Sequence, residues 1–287
     1  MQFEPFSIET GGRLVEYRRP VVMGILNITA DSFYDGGRYR EPAAMLAHAR
    51  QLLADGADII DLGASSSRPG ATLLPPDEEA RRLAEAVALL RAELPEAVIS
   101  VDTCFATPAR AAIEAGADIV NDIGGGDLDP EMFAAVAEMQ VPYVLMHGAT
   151  QHFARQTAAA DRTADEMVDE VVRYLSAKVD TLRRMGVKDI WLDPGFGFGK
   201  TVFENLRLLD SLDQVATLFA EPLLAALSRK RMVYQPLGLD AEHALEGTIA
   251  LDAIALDRGA RLVRVHDPRP ARQTIELMML TSRQTTH

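Results

Sequence analysis

Eight short, nearly continuous apolar runs, each followed by a longer stretch of helical spacing, constrain this chain more than any other feature. They are Val21 to Thr29, Asp58 to Gly63, Ala97 to Thr103, Asp118 to Gly124, Val141 to His147, Asp189 to Gly195, Pro222 to Ser228 and Arg261 to Asp267. Each is too apolar to keep one face in water, the pattern of parallel strands covered by helices. Between them, Val168, Val171, Val172, Leu175, Val179 and Leu182 recur at spacings of one, three and four, which predicts an amphipathic helix. Thr163-Ala164-Asp165-Glu166 ahead of it has the form of a capping box, and Pro76-Asp77-Glu78-Glu79 sets negative charge at the positive end of another helix. Three helices end alike, at Asp55-Gly56-Ala57-Asp58, Ala115-Gly116-Ala117-Asp118 and Arg258-Gly259-Ala260-Arg261, where glycine supplies a left-handed cap. No linker or low-complexity stretch divides the 287 residues. The pattern predicts one α/β domain, a (β/α)8 TIM barrel from about residue 21 with residues 1–20 as an N-terminal extension, close to the ~250 residues usual for the class. An open doubly wound sheet fits less well, because the strands number eight and a helix follows the last.

Charge narrows the partners. The 29 Lys and Arg against 42 Asp and Glu give a net charge of −13, which repels phosphate backbones and anionic lipid. No apolar run approaches the roughly 20 residues that span a bilayer. Met1 to Phe6 lacks the basic and apolar parts of a signal peptide, and Cys104, the single cysteine, allows no internal disulfide. A cytoplasmic protein that binds neither nucleic acid nor membrane is expected, with Cys104 a small, partly buried residue.

In such barrels the chemistry lies at the C-terminal ends of the strands. Here those ends carry Asn27, Asp61, Asp102, Asn121 or Asp122, His147, Asp193, Ser228, and the pair Arg264 and His266. Polar groups on nearly every strand end need a reason, since unpaired ones cost free energy. Arg264 and His266, two apart, share a face, while Val263 and Val265 face the helices. Asn121 and Asp122 cannot both point inward, so one of them is structural; Asp61 is the residue most readily given to a rim ion pair. Cations gather at the same end: Arg68 after the second strand, Lys200 after the sixth, Arg229-Lys230-Arg231 after the seventh, and Arg264 on the eighth. Such a ring suits phosphate or diphosphate, although Arg231 also reads as a solvated side chain. The Asp193 to Thr201 loop is not a nucleotide P-loop, because Pro194 stands where glycine must precede Gly199 by five. No HExxH, paired CxxC or GxSxG occurs, which leaves zinc and acyl-enzyme chemistry without support.

Met23 to Gly37, with its core Gly24-Ile25-Leu26-Asn27-Ile28-Thr29, resembles the first signature of the dihydropteroate synthase family. Asp58-Ile59-Ile60-Asp61-Leu62-Gly63 leading to Ser66-Ser67-Arg68-Pro69-Gly70-Ala71 resembles the second. Ile99 to Thr103, Ile119 to Ile123, Asp193 to Lys200, Leu227-Ser228-Arg229-Lys230 and Arg264-Val265-His266-Asp267 follow in family order. The resemblance implies condensation of 6-hydroxymethyl-7,8-dihydropterin diphosphate with p-aminobenzoate to give 7,8-dihydropteroate and diphosphate. It implies a pterin site of Asp102, Asn121, Asp193, Met146 and Lys230, and a diphosphate site of Asn27, Ser67, Arg68, Arg264 and His266, with Asn27 reaching Mg2+. It implies a p-aminobenzoate pocket of Phe33, Pro69, Phe198 and Arg231, and makes Lys230, Arg68, Asp31 and Phe33 the catalytic set. Asp31 to Gly37 and Ser65 to Ala71 resemble the family's two mobile loops. A homodimer and competitive inhibition by sulfonamides are further implications. The chain departs from the family at Ala30 for a usual Pro, Ser65 for Glu, Ser67 for Thr, Arg231 for Ser, and in the stretch 148–153. Two other readings stay open: a pterin-binding barrel that transfers methyl groups to a corrinoid protein, which would bring no diphosphate to bind, and a non-catalytic paralogue.

Overall fold

The computed structural model describes residues 3–28, 40–65, 73–148 and 162–283. Eight parallel strands close into a barrel: β3 (Val21–Asn27), β4 (Ile59–Gly63), β5 (Val98–Asp102), β6 (Ile119–Asp122), β7 (Tyr143–Met146), β8 (Ile190–Asp193), β9 (Leu223–Ala225) and β10 (Ala260–Val265), with β10 paired to both β9 and β3. Seven of the eight predicted runs contain their strand whole, and β10 begins one residue ahead of its run, at Ala260. Most strands are shorter than their runs, because the C-terminal residues turn out of the ladder; after β9, for instance, Arg229 already has φ 55°.

The helices are α1 (Arg40–Ala54), α2 (Pro76–Glu93), α3 (Ala106–Glu114), α4 (Met132–Met139), α5 (Ala164–Arg184), α6 (Val202–Asp210), α7 (Leu212–Leu218), α8 (Arg231–Tyr234), α9 (Leu245–Asp257) and α10 (Pro268–Arg283). The expected left-handed caps occur at Gly56, Gly116 and Gly259, with φ of 97°, 109° and 102°. The capping box forms as read: Thr163 N donates to Glu166 Oε2 at 2.8 Å, and Glu166 N donates to Thr163 Oγ1 at 3.3 Å. A second box, Thr201 with Glu204, starts α6 and went unread. Among the described residues no helix is long and apolar enough to cross a membrane.

The alternation of strand side chains builds the interior in layers. Met23, Ile59, Val98, Ile119, Val144, Trp191, Leu224 and Leu262, one from each strand, form a buried apolar layer. Two residues further along, the inward positions are Ile25, Asp61, Ser100, Asn121, Met146, Asp193, Ala226 and Arg264, so the interior turns polar toward the strand C-termini. The intervening residues face outward. Ile60, Ile99, Val120, Leu145 and Leu192 pack on Leu83, Val87, Leu90, Val171, Leu175 and Leu182 of α2 and α5.

The N-terminal extension has a structural task that its sequence did not announce. β1 (Phe6–Thr10) and β2 (Arg13–Tyr17) form an antiparallel hairpin whose Ile8 and Tyr17 cover the apolar layer from below. The Phe6 ring meets Trp191 edge-on, with centroids 6.1 Å apart, and Thr10 Oγ1 donates to Asp118 Oδ1 at 2.9 Å. Burying such side chains stabilises by roughly 1.5–3 kcal/mol each. The hairpin seals the floor, and the mouth at the opposite end is left for chemistry.

Candidate active site

Parallel register aligns the mouth. Asn27 pairs with Gly63, Gly63 with Asp102, and Asp102 with Asn121 across four neighbouring strands, while Met146 pairs with Asp193 on the far side. Arg264 spans the interior between them. Its Nε donates to Asp61 Oδ2 at 2.6 Å and its Nη2 to Asp102 Oδ2 at 2.6 Å, and Asn121 Nδ2 donates to the same Asp61 oxygen at 3.1 Å. Burial pushes the Asp102 carboxyl up to about 7; Arg264 pulls against that, and Asp61 and Asp122 add to it. For Arg264 burial opposes the charge, but the Asp61 and Asp102 carboxylates outweigh it and hold the guanidinium above its ordinary value. Asp61 is thus an ion-pair residue, as the sequence reading allowed, but one at the centre of the site and fully buried.

Lys230 stands across the mouth. Its Nζ donates to the Phe196 carbonyl at 2.6 Å and lies 4.9 Å from the centroid of the Phe198 ring. Burial lowers its pKa to about 8, with Asp193 and Asp102 opposing and Arg264 contributing. Asp193 Oδ1 accepts from Gly195 N at 2.7 Å, and burial raises this carboxyl too. Phe198 packs with Met146, Ile123 and Cys104, so Met146 and Phe198 share one apolar wall, and Cys104 is a buried core residue. A Cβ on Gly197 would stand 3.1 Å from Lys230 Cδ, so that glycine leaves the lysine its channel. The Phe196 carbonyl and Gly197 were missed by sequence reading; the alternation of Gly and Phe through this loop is their one sequence signal.

The expected ring of cations is smaller than the sequence implied. Lys200 does not face the mouth: its Nζ donates to the carbonyls of Pro194, Gly195 and Phe198 at 3.0, 2.9 and 3.2 Å. Those carbonyls converge on one point inside their own loop, and the ammonium satisfies them. Arg229 is also turned away, bound to Asp267 at 2.9 and 3.0 Å and to the Ala241 carbonyl at 3.0 Å. Arg231 is exposed and donates to Gln235 Oε1 at 3.3 Å, the solvated alternative. Of the Asn121 and Asp122 pair, Asp122 is the structural member: it accepts from Tyr143 Oη at 2.5 Å and from Gly124 N and Gly126 N at 2.6 and 2.7 Å. Glu79, expected only as charge at a helix start, is buried and faces Thr103 and Ser65, and burial pushes it up to about 7.

Asn27 and His266 are exposed at the mouth, and Ser228 Oγ lies 2.9 Å from His266 Nδ1 and accepts from His266 N at 3.2 Å. Asp31, Phe33, Ser67, Arg68 and Pro69 lie outside the described residues, as do the departures at Ala30 and from 149 to 153. A cavity of about 790 Å³ lined by Tyr17, Arg19, Asp58 and Ile275 lies beside the floor hairpin and holds none of these groups.

Comparison with known proteins places the chain in a family. A dihydropteroate synthase of Streptococcus pyogenes serotype M6 is 38% identical over 271 residues, 93% of this chain and 97% of that protein. The structure of Xanthomonas albilineans dihydropteroate synthase with 4-aminobenzoic acid superposes with a TM-score of 0.86 at 36% identity, covering 96% of this chain and 98% of that one. Yersinia pestis dihydropteroate synthase in a sulfonamide drug complex gives 0.86 at 32% identity, covering 97% and 100%. The model of the family described as "Pterin binding enzyme" matches residues 23–266, from the first barrel strand to the histidine beyond the last. By that match and by the likeness of its relatives, the chain belongs to the pterin-binding enzyme family.

Proposed function

We infer that the chain acts as a dihydropteroate synthase in folate biosynthesis. It joins the exocyclic methylene of 6-hydroxymethyl-7,8-dihydropterin diphosphate to the amino nitrogen of p-aminobenzoate, releasing diphosphate and 7,8-dihydropteroate. The observation that carries this reading is the juxtaposition, in one barrel mouth, of Asp102, Asn121 and Asp193 with Arg264 and Lys230. Asp102 and Asp193 are acceptors for the 2-amino, N3 and ring N–H groups of a pterin. Asn121 commits its Nδ2 to Asp61, which leaves its carboxamide oxygen for the ring. A missing hydrogen bond in such a site costs on the order of 1–3 kcal/mol, enough to reject other heterocycles.

The chemistry follows the charge. The C–O bond breaks with its electron pair going to diphosphate, and the methylene becomes cationic in conjugation with the pterin. Arg264 and His266 stabilise the growing negative charge, joined by Ser67 and Arg68 on the strength of the family resemblance. The arylamine lone pair then forms the C–N bond, and its proton leaves afterwards, so no general base is required. Phe198 is the described apolar ring beside Lys230 that would border the arylamine. The family resemblance adds Phe33 and Pro69 to that pocket and Asp31 to the catalytic set, whereas Arg231, exposed and bonded to Gln235, does not turn toward it.

Mg2+ fits the mouth. Gly63 keeps open a space that a Cβ would narrow to 3.3 Å from Asn27 Oδ1 and 3.6 Å from Asp102 Cβ, and a carboxamide oxygen is a hard donor of the kind Mg2+ takes beside phosphate oxygens. Asn27 would hold the ion, which when bound neutralises charge on the diphosphate. The same reading carries sulfonamides as inhibitors competing with p-aminobenzoate, and a cytoplasmic place of action, since charged phosphorylated substrates do not cross membranes unaided. It also carries a homodimer, supported by Ile254 of α9 and Leu277 of α10, large apolar side chains exposed on adjacent helices. The test is incubation of purified protein with the dihydropterin diphosphate, p-aminobenzoate and Mg2+. Equimolar dihydropteroate and diphosphate are expected; no p-aminobenzoate-dependent diphosphate release would overturn the reading.

A further inference from the structure

Arg264 divides its guanidinium between two carboxylates, Nε to Asp61 and Nη2 to Asp102. Asp102 is an acceptor for the pterin, and Arg264 is a cation for the diphosphate. Without substrate, each of these groups therefore satisfies the other, and a pterin on Asp102 and an anion on Arg264 compete with the Nη2–Asp102 bond. The exchange is close to balanced. The N–H donors of a 2-aminopyrimidinone give Asp102 what the guanidinium gave it, and a diphosphate oxygen gives Nη2 what Asp102 gave it. It works only if the arginine stays at the mouth while one of its nitrogens changes partner.

Asp61 meets that requirement. It is fully buried in the inner layer of β4, and its Oδ2 accepts from both Arg264 Nε and Asn121 Nδ2. Its Oδ1 is buried with no hydrogen-bond partner among the described residues, so the carboxylate depends on Arg264 for its counter-charge. Removing one partner of such a buried pair is strongly unfavourable, which keeps Nε in place while Nη2 moves. One carboxylate thereby touches both the arginine of the leaving group and the amide of the pterin site.

We propose that Asp61 is the positioning residue of this exchange: it anchors Arg264 through Nε while Nη2 turns from Asp102 to the leaving group, so that an anion in the diphosphate position frees Asp102 and the two halves of the substrate bind cooperatively. The coupling presupposes the synthase activity inferred above, which defines those halves. Linkage requires it to be reciprocal.

Calorimetric titration of the wild type with 6-hydroxymethylpterin, which lacks the diphosphate, tests it in the presence and absence of inorganic diphosphate and Mg2+. The pterin should bind about tenfold tighter with diphosphate present, and diphosphate should gain the same factor from saturating pterin. In Asp61→Asn, which keeps the shape and removes the charge, the factor should fall below about twofold. Equal pterin affinity under both conditions in the wild type, or an undiminished factor in Asp61→Asn, overturns the proposal. Should Asp61→Asn not fold, Arg264→Lys, which keeps the cation but cannot hold Asp61 and a second anion through separate nitrogens, should lose the factor in its place. Turnover measured on the same preparation separates the two levels. Coupling absent with synthase turnover intact overturns the positioning role alone; absence of both turnover and pterin binding overturns the synthase reading and the coupling with it.

Discussion

Lys200 and His147 meet as ammonium and imidazole, 3.0 Å from Nζ to Nδ1, and together they fasten the loop that positions Lys230. On the other side of the ring, His147 Nε2 faces Glu170 Oε1 at 3.4 Å, and Arg162 joins Glu170 to Glu204. A carboxylate facing Nε2 calls for the proton there, which leaves Nδ1 to accept from Lys200. The three loop carbonyls on the same ammonium fix the turn whose Phe196 carbonyl and Phe198 ring hold Lys230. A lysine turned away from the barrel mouth in this way holds the loop against which a lysine at the mouth is set.

His147 should make the protein acid-sensitive. Burial, with the Lys200 charge adding to it and Glu170 opposing, lowers its pKa to about 4 from an ordinary 6.5. The folded state resists a proton that the unfolded chain accepts, so this contribution is full above about 6.5 and is lost as pH falls toward 4. His147→Gln keeps an acceptor for Lys200 and a donor for Glu170 without titrating. Urea unfolding at pH 7 and pH 5 should show the wild type losing about 2 kcal/mol more than the variant. Parallel losses would contradict this.

Two glycines with the same φ of 73° separate backbone strain from close approach. A Cβ on Gly12, in the hairpin turn, would meet nothing within 4 Å, whereas one on Gly195 would stand 1.7 Å from the His147 carbonyl oxygen. Gly12→Ala should cost roughly 1–2 kcal/mol of stability, the strain of a left-handed alanine. Gly195→Ala should cost at least about 3 kcal/mol, because the loop must leave His147. Denaturant midpoints compare them, and equal losses would refute the close approach.

The pH profile of kcat/KM for the pterin diphosphate should be a narrow bell. Asp102, raised by burial to about 7, must be ionised to accept pterin N–H groups, so activity rises through that pH. Lys230, lowered by burial to about 8, must stay an ammonium, so activity falls above it. Steady-state rates from pH 5.5 to 9.5 measure both limbs. A flat profile between about 6 and 9 would show that neither group titrates in the free enzyme.

The barrel was legible because its signals are local. The apolar runs, the three glycine caps and the two-residue step from Arg264 to His266 depend on near neighbours in the chain. The strand-end carboxylates were legible too, since alternation fixes which side of a strand they share. Lys200 and Arg229 were misread for a physical reason: a cation beside glycines in a loop looks free until one knows where the loop carbonyls point. The hairpin floor was hidden for a related reason, as Ile8 and Phe6 find Trp191 across most of the chain. Asp61 was seen as an ion pair, but its reach to both Arg264 and Asn121 depends on three strands meeting across the barrel.

Lys230 ties the loop after β8 to the barrel mouth, so its loss tests the proposed chemistry there most directly. Dihydropteroate formation should be followed for the wild type and for Lys230→Ala, with thermal unfolding showing both folded. The site predicts wild-type turnover and a fall in kcat/KM of about a hundredfold in the variant, the loss of a buried charge-assisted contact. A folded Lys230→Ala that turns over at the wild-type rate would contradict it.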